Sequence, residues 1–337
     1  MKRILVTGGL GFIGSHVVVE LQKSGFEVLI VDDLSNSNIE VLDNIVAITN
    51  KSVDFKQIDL RIKNDVQKLF SENKIDGIIH FAAFKAVGES VEKPLDYDEN
   101  NINSLVYLLQ EMKNTKVDNF IFSSSCTVYG QADELPITEQ APLKPAESPY
   151  GNTKKIGEEI IKDTCKAYNM NAIVLRYFNP IGAHNSIKIG ELPIGTPQNL
   201  IPFITQTAAG IRKELAVFGD DYPTTDGTAV RDYIHVVDLA KAHVIALERL
   251  LENKNNENYE FFNIGTGKGS SVKEVIDTFE KVTNKKLNYK ISDRREGDVI
   301  AAYADTTKAN EVLGWKSEKT LDEALNSAWK WQESQEE

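Results

Sequence analysis

Short apolar runs rich in β-branched residues recur at 3–7, 27–31, 53–58, 77–82, 118–124 and 172–176, each followed by apolar positions at helical spacing. Strand alternating with helix predicts a parallel sheet. Ile4-Leu5-Val6 and Ile78-Ile79 are apolar without alternation, as strands covered on both faces must be. Right-handed crossovers then place helices on both sides, so the expected class is α/β with a doubly wound parallel sheet. Past residue 180 this rhythm gives way to a Gly/Pro-containing stretch, 180–230, with a helix expected near 199–211. Helix at 236–252, strand at 259–264 and amphipathic helices at 271–283 and 320–333 follow, with a polar surface loop from Glu252 to Asn258.

Composition narrows the picture. At 337 residues, 41% hydrophobic and 26% charged, the chain can bury a large core or two unequal ones. A net charge of -12 without a Lys/Arg block excludes a nucleic-acid partner and requires a local cation cluster for any anionic substrate. The apolar run behind Lys2 and Arg3 is too short for a leader or a membrane span, so no membrane association is expected. Cys126 and Cys165 form neither a disulfide framework nor a metal motif, which suits the cytoplasm. His16, His80, His184, His235 and His243 show no ligand spacing, so no metal is expected.

The first strand runs directly into Thr7-Gly8-Gly9-Leu10-Gly11-Phe12-Ile13-Gly14, which opens a helix with Phe12, Ile13, Val17 and Leu21 on its apolar side. Gly8 permits a tight turn, Gly11 lets backbone amides reach a pyrophosphate, and Gly14 allows helix and strand to touch. The second strand ends in Asp32, placed to bind a ribose 2′-hydroxyl. Asp32 and Asp33 would repel a 2′-phosphate and no Arg adjoins them in sequence, so NAD is expected over NADP. Asp59 is equally readable as a contact to the adenine amino group or as a solvated turn residue. Phe81, Ala82 and Ala83 close the fourth strand either against a cofactor or in ordinary packing.

Ser148 and Pro149 mark a helix start, and Tyr150 and Lys154, four apart, share one face of that helix. A phenol with a pKa of about 10 needs nearby positive charge to work as a base. Lys154 and a nicotinamide cation would supply it. Ser123-Ser124-Ser125 ends the fifth strand at the carboxyl edge, where ligands bind in open sheets, and Ser125 can bond a reacting oxygen.

With these pieces the chain resembles the extended short-chain dehydrogenase/reductase family and, within it, the group of UDP-hexose 4-epimerases. The carriers are Val6 through His16, His80 through Ala83, Lys85 through Ser90, Ser123 through Gly130, Ser148 through Lys154, Arg176 through Pro180, Gly227 through His235 and Arg294 through Asp298. The resemblance implies a Rossmann domain for NAD, residues 1–180 plus about 231–265, and a smaller interleaved α/β domain for a UDP-sugar, about 181–230 and 266–337. It implies Tyr150, Lys154 and Ser125 as the catalytic set. It further implies Phe12, Ile13, Leu60, Lys85, Asn100, Ser123 and Tyr177 beside NAD, with Tyr150 and Lys154 touching it too. Lys85, Ser125, Tyr150, Phe178, Asn179, Asn199, Leu200, Ala216, Phe218, Arg231, Tyr233, Arg295, Asp298 and Ala302 would meet the UDP-sugar. Arg231 and Arg295 are the bidentate cations that a diphosphate needs. The implied reaction is C4 epimerisation of UDP-glucose and UDP-galactose through a 4-keto sugar, in a homodimer joined near 98–114 and 150–168.

Ala302 stands where members restricted to unacetylated hexoses resemble one another in carrying a bulky aromatic. Acceptance of UDP-N-acetylhexosamines is therefore expected, unless a neighbour such as Tyr303 fills the gap. A 4,6-dehydratase would need an Asp-Glu pair where this chain has Cys126-Thr127, and so lacks its proton donors. UDP-glucuronate or pentose 4-epimerisation, or an inactive NAD-sensing regulator, are the competing readings.

Overall fold

The computed structural model describes residues 1–295 and 297–335; Glu296, in the loop that carries part of the resemblance, and Glu336 and Glu337 lie outside the described residues. Seven parallel strands form the central sheet in the spatial order Tyr259–Ile264, Asn171–Tyr177, Asn119–Ser125, Gly77–His80, Arg3–Thr7, Glu27–Asp32, Asp54–Gln57. Strand order reverses between Arg3–Thr7 and Gly77–His80, which pair side by side. Ligands of doubly wound sheets bind beyond the strand ends at such a reversal.

Each face of the sheet carries its own core. Helices Phe12–Lys23, Glu40–Thr49 and Val236–Leu251 bury Val17, Leu21, Ile45, Leu239 and Leu247 on one side. Lys63–Glu72, Ser104–Thr115 and Pro149–Tyr168 bury Leu69, Leu105, Leu108 and Ile161 on the other. The expected strands are present with ends shifted by one or two residues. The sixth, however, is followed by no helix. It continues into the short strand Asn179–Ile181, which pairs with Tyr233–His235 and leads the chain out of the sheet.

Beyond it a third core gathers Ile201, Ile204, Val217, Ile276, Phe279 and Trp329. Helix Leu200–Ala208 ends earlier than the 199–211 expected, because Gly210 adopts a φ of +77° that halts it. Helices Val272–Thr283 and Leu321–Glu333 both begin with a capping box, Ser271 with Glu274 and Thr320 with Glu323. Ala309, Leu313 and Trp315 cross back into the first core, where the Trp315 indole donates to the Asp238 carbonyl at 2.9 Å. The carboxy-terminal part is thus shared between the first and third cores. Among the described residues no helix is long and apolar enough to cross a membrane, and no cluster of His, Cys, Asp or Glu is arranged to hold a metal.

Burial lowers His16 and His80 to about 3 and His235 and His243 to about 4. The unfolded chain, with histidines near pKa 6.5, therefore takes up protons first as pH falls. Their stabilisation is complete above about pH 6.5 and is lost toward the folded values, at roughly 1.4 kcal/mol per pH unit for each histidine. Glu139 and Asp232, raised by burial, act in the opposite sense. The melting temperature is expected to hold steady from pH 8 to 7 and to drop below about pH 6.5. A melting series that stays flat to pH 5 would contradict this account of the buried imidazoles.

Candidate functional site

The glycine turn is held by contacts that exclude side chains. Gly8 has φ +66°, and a Cβ there would lie 2.8 Å from the Ala82 nitrogen. A Cβ on Gly14 would come within 2.2 Å of the Gly8 carbonyl oxygen. Helix Phe12–Lys23 starts from Gly11, which offers its first-turn amides, those of Phe12 and Ile13 included, no side-chain cap. Thr7 fastens the neighbouring strand end: its carbonyl accepts from Phe81 N at 3.0 Å and its hydroxyl from Ala82 N at 3.3 Å. Ala83 follows in the same loop. Such a cradle, uncapped helix start and close-packed backbone together, fits a dinucleotide pyrophosphate.

Asp32 is buried and accepts from Leu10 N at 3.1 Å, Leu34 N at 3.0 Å and the Ser37 hydroxyl at 2.7 Å. It therefore ties the glycine turn to the loop behind the second strand. The Asp33 carboxylate bonds Ser35 N at 2.9 Å. Asp59 adopts the turn geometry, taking Arg61 N at 2.9 Å and the Arg61 guanidinium at 2.7 to 3.1 Å, which holds its carboxyl below the usual range. Arg61 also feels the Asp33 charge, so the fold brings near Asp33 an arginine that the sequence leaves distant. Leu60 between them is buried.

Ser148 caps helix Pro149–Tyr168 through Gly151 N at 3.1 Å, with Pro149 first in the helix. Tyr150 and Lys154 follow on one face. The Lys154 ammonium donates to the Ser123 carbonyl at 2.7 Å and lies 5.9 Å from the Tyr150 ring centre. Burial pushes the Tyr150 phenol up to about 12, with the Ser125 hydroxyl acting in the other direction. The expectation was that Lys154 and a nicotinamide cation together make this phenol acidic; in the protein alone burial has the larger effect and the phenol stays raised. Burial also pulls Lys154 down to about 8, and the Glu158 carboxylate opposes that pull. Tyr177, buried, bonds the Ser123 hydroxyl with its own. Ser125 accepts from Thr127 N at 3.2 Å, capping the turn Cys126–Tyr129.

On the facing side Arg295 donates to both oxygens of Asp298, at 2.7 and 3.1 Å, and Arg231 reaches the same carboxylate at 3.4 Å. The Arg295 guanidinium also lies 5.8 Å from the half-exposed Phe218 ring. Tyr233 is buried, and pushed up by that burial to about 12, with Arg231 and Asp298 as its charged neighbours. Asn179 N bonds the Asp232 carbonyl at 2.9 Å beside buried Phe178, and Ala216 pairs with Lys290 next to Phe218. Ala302 pairs with Arg231 and lies in a buried cluster with Phe178 and Val128, Cys126 at its border. The Tyr303 ring packs on Gly269, where a Cβ would meet it at 2.9 Å.

Several residues that the sequence reading passed over hold this arrangement together. Glu191 accepts from Asn199 at 2.8 Å and pairs with Lys85 at 3.4 Å, joining the loop after the fourth strand to Asn199, which precedes Leu200 at the start of its helix. Asn100 lies in the wide turn Glu99–Asn103 and bonds Asn101, whose side chain clasps Phe84 N and O and reaches Thr153 at 3.0 Å. Fully buried Asp232 collects Thr266 N, Gly267 N and Ala304 N at 2.9 to 3.2 Å. Its place between Arg231 and Tyr233 was the one signal available.

Residues 5–328 match the model of the GDP-mannose 4,6 dehydratase family. The UDP-glucose 4-epimerase of Bacillus subtilis is 49% identical over 332 residues, covering 98% of this chain and 97% of that protein. A crystal structure of UDP-glucose 4-epimerase from Stenotrophomonas maltophila with NAD and formylated UDP-arabinopyranose superimposes with a TM-score of 0.96 at 45% identity, covering 100% and 99% of the two chains. That of the Bifidobacterium longum enzyme with NAD+ and UDP gives 0.95 at 46%, covering 99% and 98%. The chain belongs to the extended short-chain dehydrogenases/reductases covered by that family model and, within them, to the UDP-glucose 4-epimerase family.

Proposed function

We propose that this chain interconverts UDP-glucose and UDP-galactose by oxidation and re-reduction at C4, with NAD held on the glycine turn. The observation that carries this reading is the meeting of Tyr150, Lys154 and Ser125 at one sheet edge, in a chain whose Arg231, Arg295 and Asp298 form a separate cation cluster. The glycine turn and Asp32 would hold NAD, which when bound would supply a hydride acceptor and donor for C4 and the positive charge that the phenol lacks. Tyr150 takes and gives back the C4-hydroxyl proton while Ser125 bonds the same oxygen. Arg231 and Arg295, spaced by their common partner Asp298, grip the diphosphate. Binding strength placed on UDP leaves the sugar loosely held, so that its 4-keto form can present its other face.

Around these residues we assign residues 1–180 with about 231–265 to NAD and about 181–230 with 266–337 to UDP. The acceptance of acetylated sugars rests on small Ala302 beside Cys126 and Phe178, with Tyr303 turned onto Gly269. A homodimer joined through helices Ser104–Thr115 and Pro149–Tyr168 would be seated at a groove of about 400 Å³ between them, where Val106, Leu109, Ile160 and Tyr168 stand among polar residues such as Lys113 and Thr164. Unpaired Cys126 and Cys165 suit the reducing cytoplasm.

Tyr150→Phe is expected to keep its NAD and lose UDP-galactose turnover by about 10²- to 10⁴-fold, read in a coupled assay. Near-normal rates in that variant would remove Tyr150 from the base role. The same assay with UDP-N-acetylgalactosamine should show turnover in the parent and its loss in Ala302→Tyr, with UDP-galactose still used. No reaction of the parent at high enzyme concentration would refute the broad pocket. Sedimentation equilibrium should return twice the chain mass, lowered toward one chain by Ile160→Glu; a single-chain mass for the parent rejects the dimer.

A further inference from the structure

Below the candidate site lies an ion pair that the reaction does not use. Glu158 and Arg176 are 3% and 4% exposed, the most buried pair among the described residues. Arg176 Nε reaches the two Glu158 oxygens at 2.9 and 3.2 Å, and its Nη2 adds a further contact. Ser124, next to Ser125 on the fifth strand, donates to the same carboxylate at 2.5 Å. Arg176 Nη1 donates to the Tyr129 hydroxyl at 3.0 Å, and that hydroxyl in turn donates a hydrogen bond to Asn263 Oδ1 at 2.7 Å.

Stability does not explain such a pair. Apolar residues of similar volume commonly replace a buried salt bridge at no loss, since desolvation consumes most of the attraction. What apolar residues could not provide is a negative charge one helical turn from Lys154. Residues four apart on a helix are neighbours, and Glu158 follows Lys154 at that spacing. Arg176 and Ser124 hold the carboxylate in place from adjacent strands.

We propose that Glu158, fixed by Arg176 and Ser124 one helical turn from Lys154, is a positioning residue for the ammonium that bonds the Ser123 carbonyl. The inference rests on the epimerase reading given above. Lys154 is faced by Tyr150 and Glu158 from its own helix and by His80 from the fourth strand. His80, lowered by burial to about 3, stays neutral. Glu158 is faced by Arg176, by Tyr129 and, at 3.5 Å, by the Tyr259 hydroxyl. Glu158 is the acid that opposes the effect of burial on Lys154.

The test is the pH profile of kcat for UDP-galactose, measured on NAD-loaded parent, Glu158→Gln/Arg176→Met and Glu158→Asp. The double variant strands no buried charge, so it should fold and load NAD, as melting and cofactor content will report. Its activity should decline at a pH about one unit or more below the parent's alkaline limb, because Lys154 loses its proton sooner. Glu158→Asp, which keeps the charge, should restore the parental limb even where its melting temperature is lower. A double variant with the parental limb, or a Glu158→Asp limb displaced as far as that of the double variant, overturns the proposal. A parent chain without turnover overturns the epimerase reading and this inference with it, so the two failures are told apart by the parent alone.

Discussion

Helix Phe12–Lys23 can rest on the first strand only because position 14 carries no side chain: the Gly8 carbonyl oxygen occupies the place a Cβ would take. That contact fixes how far the helix start stands from the strand ends. With it set, Gly8 meets Ala82 just past the fourth strand, Thr7 bonds the same segment, and Asp32 of the second strand reaches back to Leu10. Three strand ends are thereby locked around one turn at the point where strand order reverses. The fifth and sixth strands continue the same parallel edge and bring Ser125 and Tyr177 level with it. The geometry of the site thus follows from close backbone packing, tied by the Thr7 hydroxyl and the Asp32 carboxylate.

This part of the molecule was legible in the sequence because each signal is local. A strand buried on both faces must be apolar at consecutive positions, as Ile4-Leu5-Val6 and Ile78-Ile79 are, and a helix start shows itself in a single capping residue such as Ser148. Glycines at a close approach are equally local. Where the reading erred, tertiary context intervened. The helix after Asn199 stops at Ala208 because Gly210 turns the chain, and the sixth strand feeds a short strand instead of a crossover.

Partners far apart in the chain were not legible. Nothing near Lys85 announces Glu191, and nothing near Arg231 announces that it shares Asp298 with Arg295. Spacing of four placed Tyr150 and Lys154 on one face but could not tell that the ammonium turns to the Ser123 carbonyl, nor that burial raises the phenol. The fate of Tyr303 was hidden for a related reason. Neighbouring residues along extended chain point to opposite sides, and which side meets Gly269 is decided by strand pairing remote from it.

An acidic protein that handles an anionic substrate has to keep its cations apart from its general field, and this one does so with acids. Asp298 sets the distance between Arg231 and Arg295; Glu158 stands one turn from Lys154. The two arrangements differ in burial, and the difference decides what each charge can do. Arg295 has its side chain 49% exposed, so water and salt screen its charge. Lys154 is buried, where screening is weak and a neighbouring carboxylate changes whether the amine holds its proton at all. A solvated guanidinium thus answers to ionic strength, whereas the charge on a buried amine is set by the interior itself.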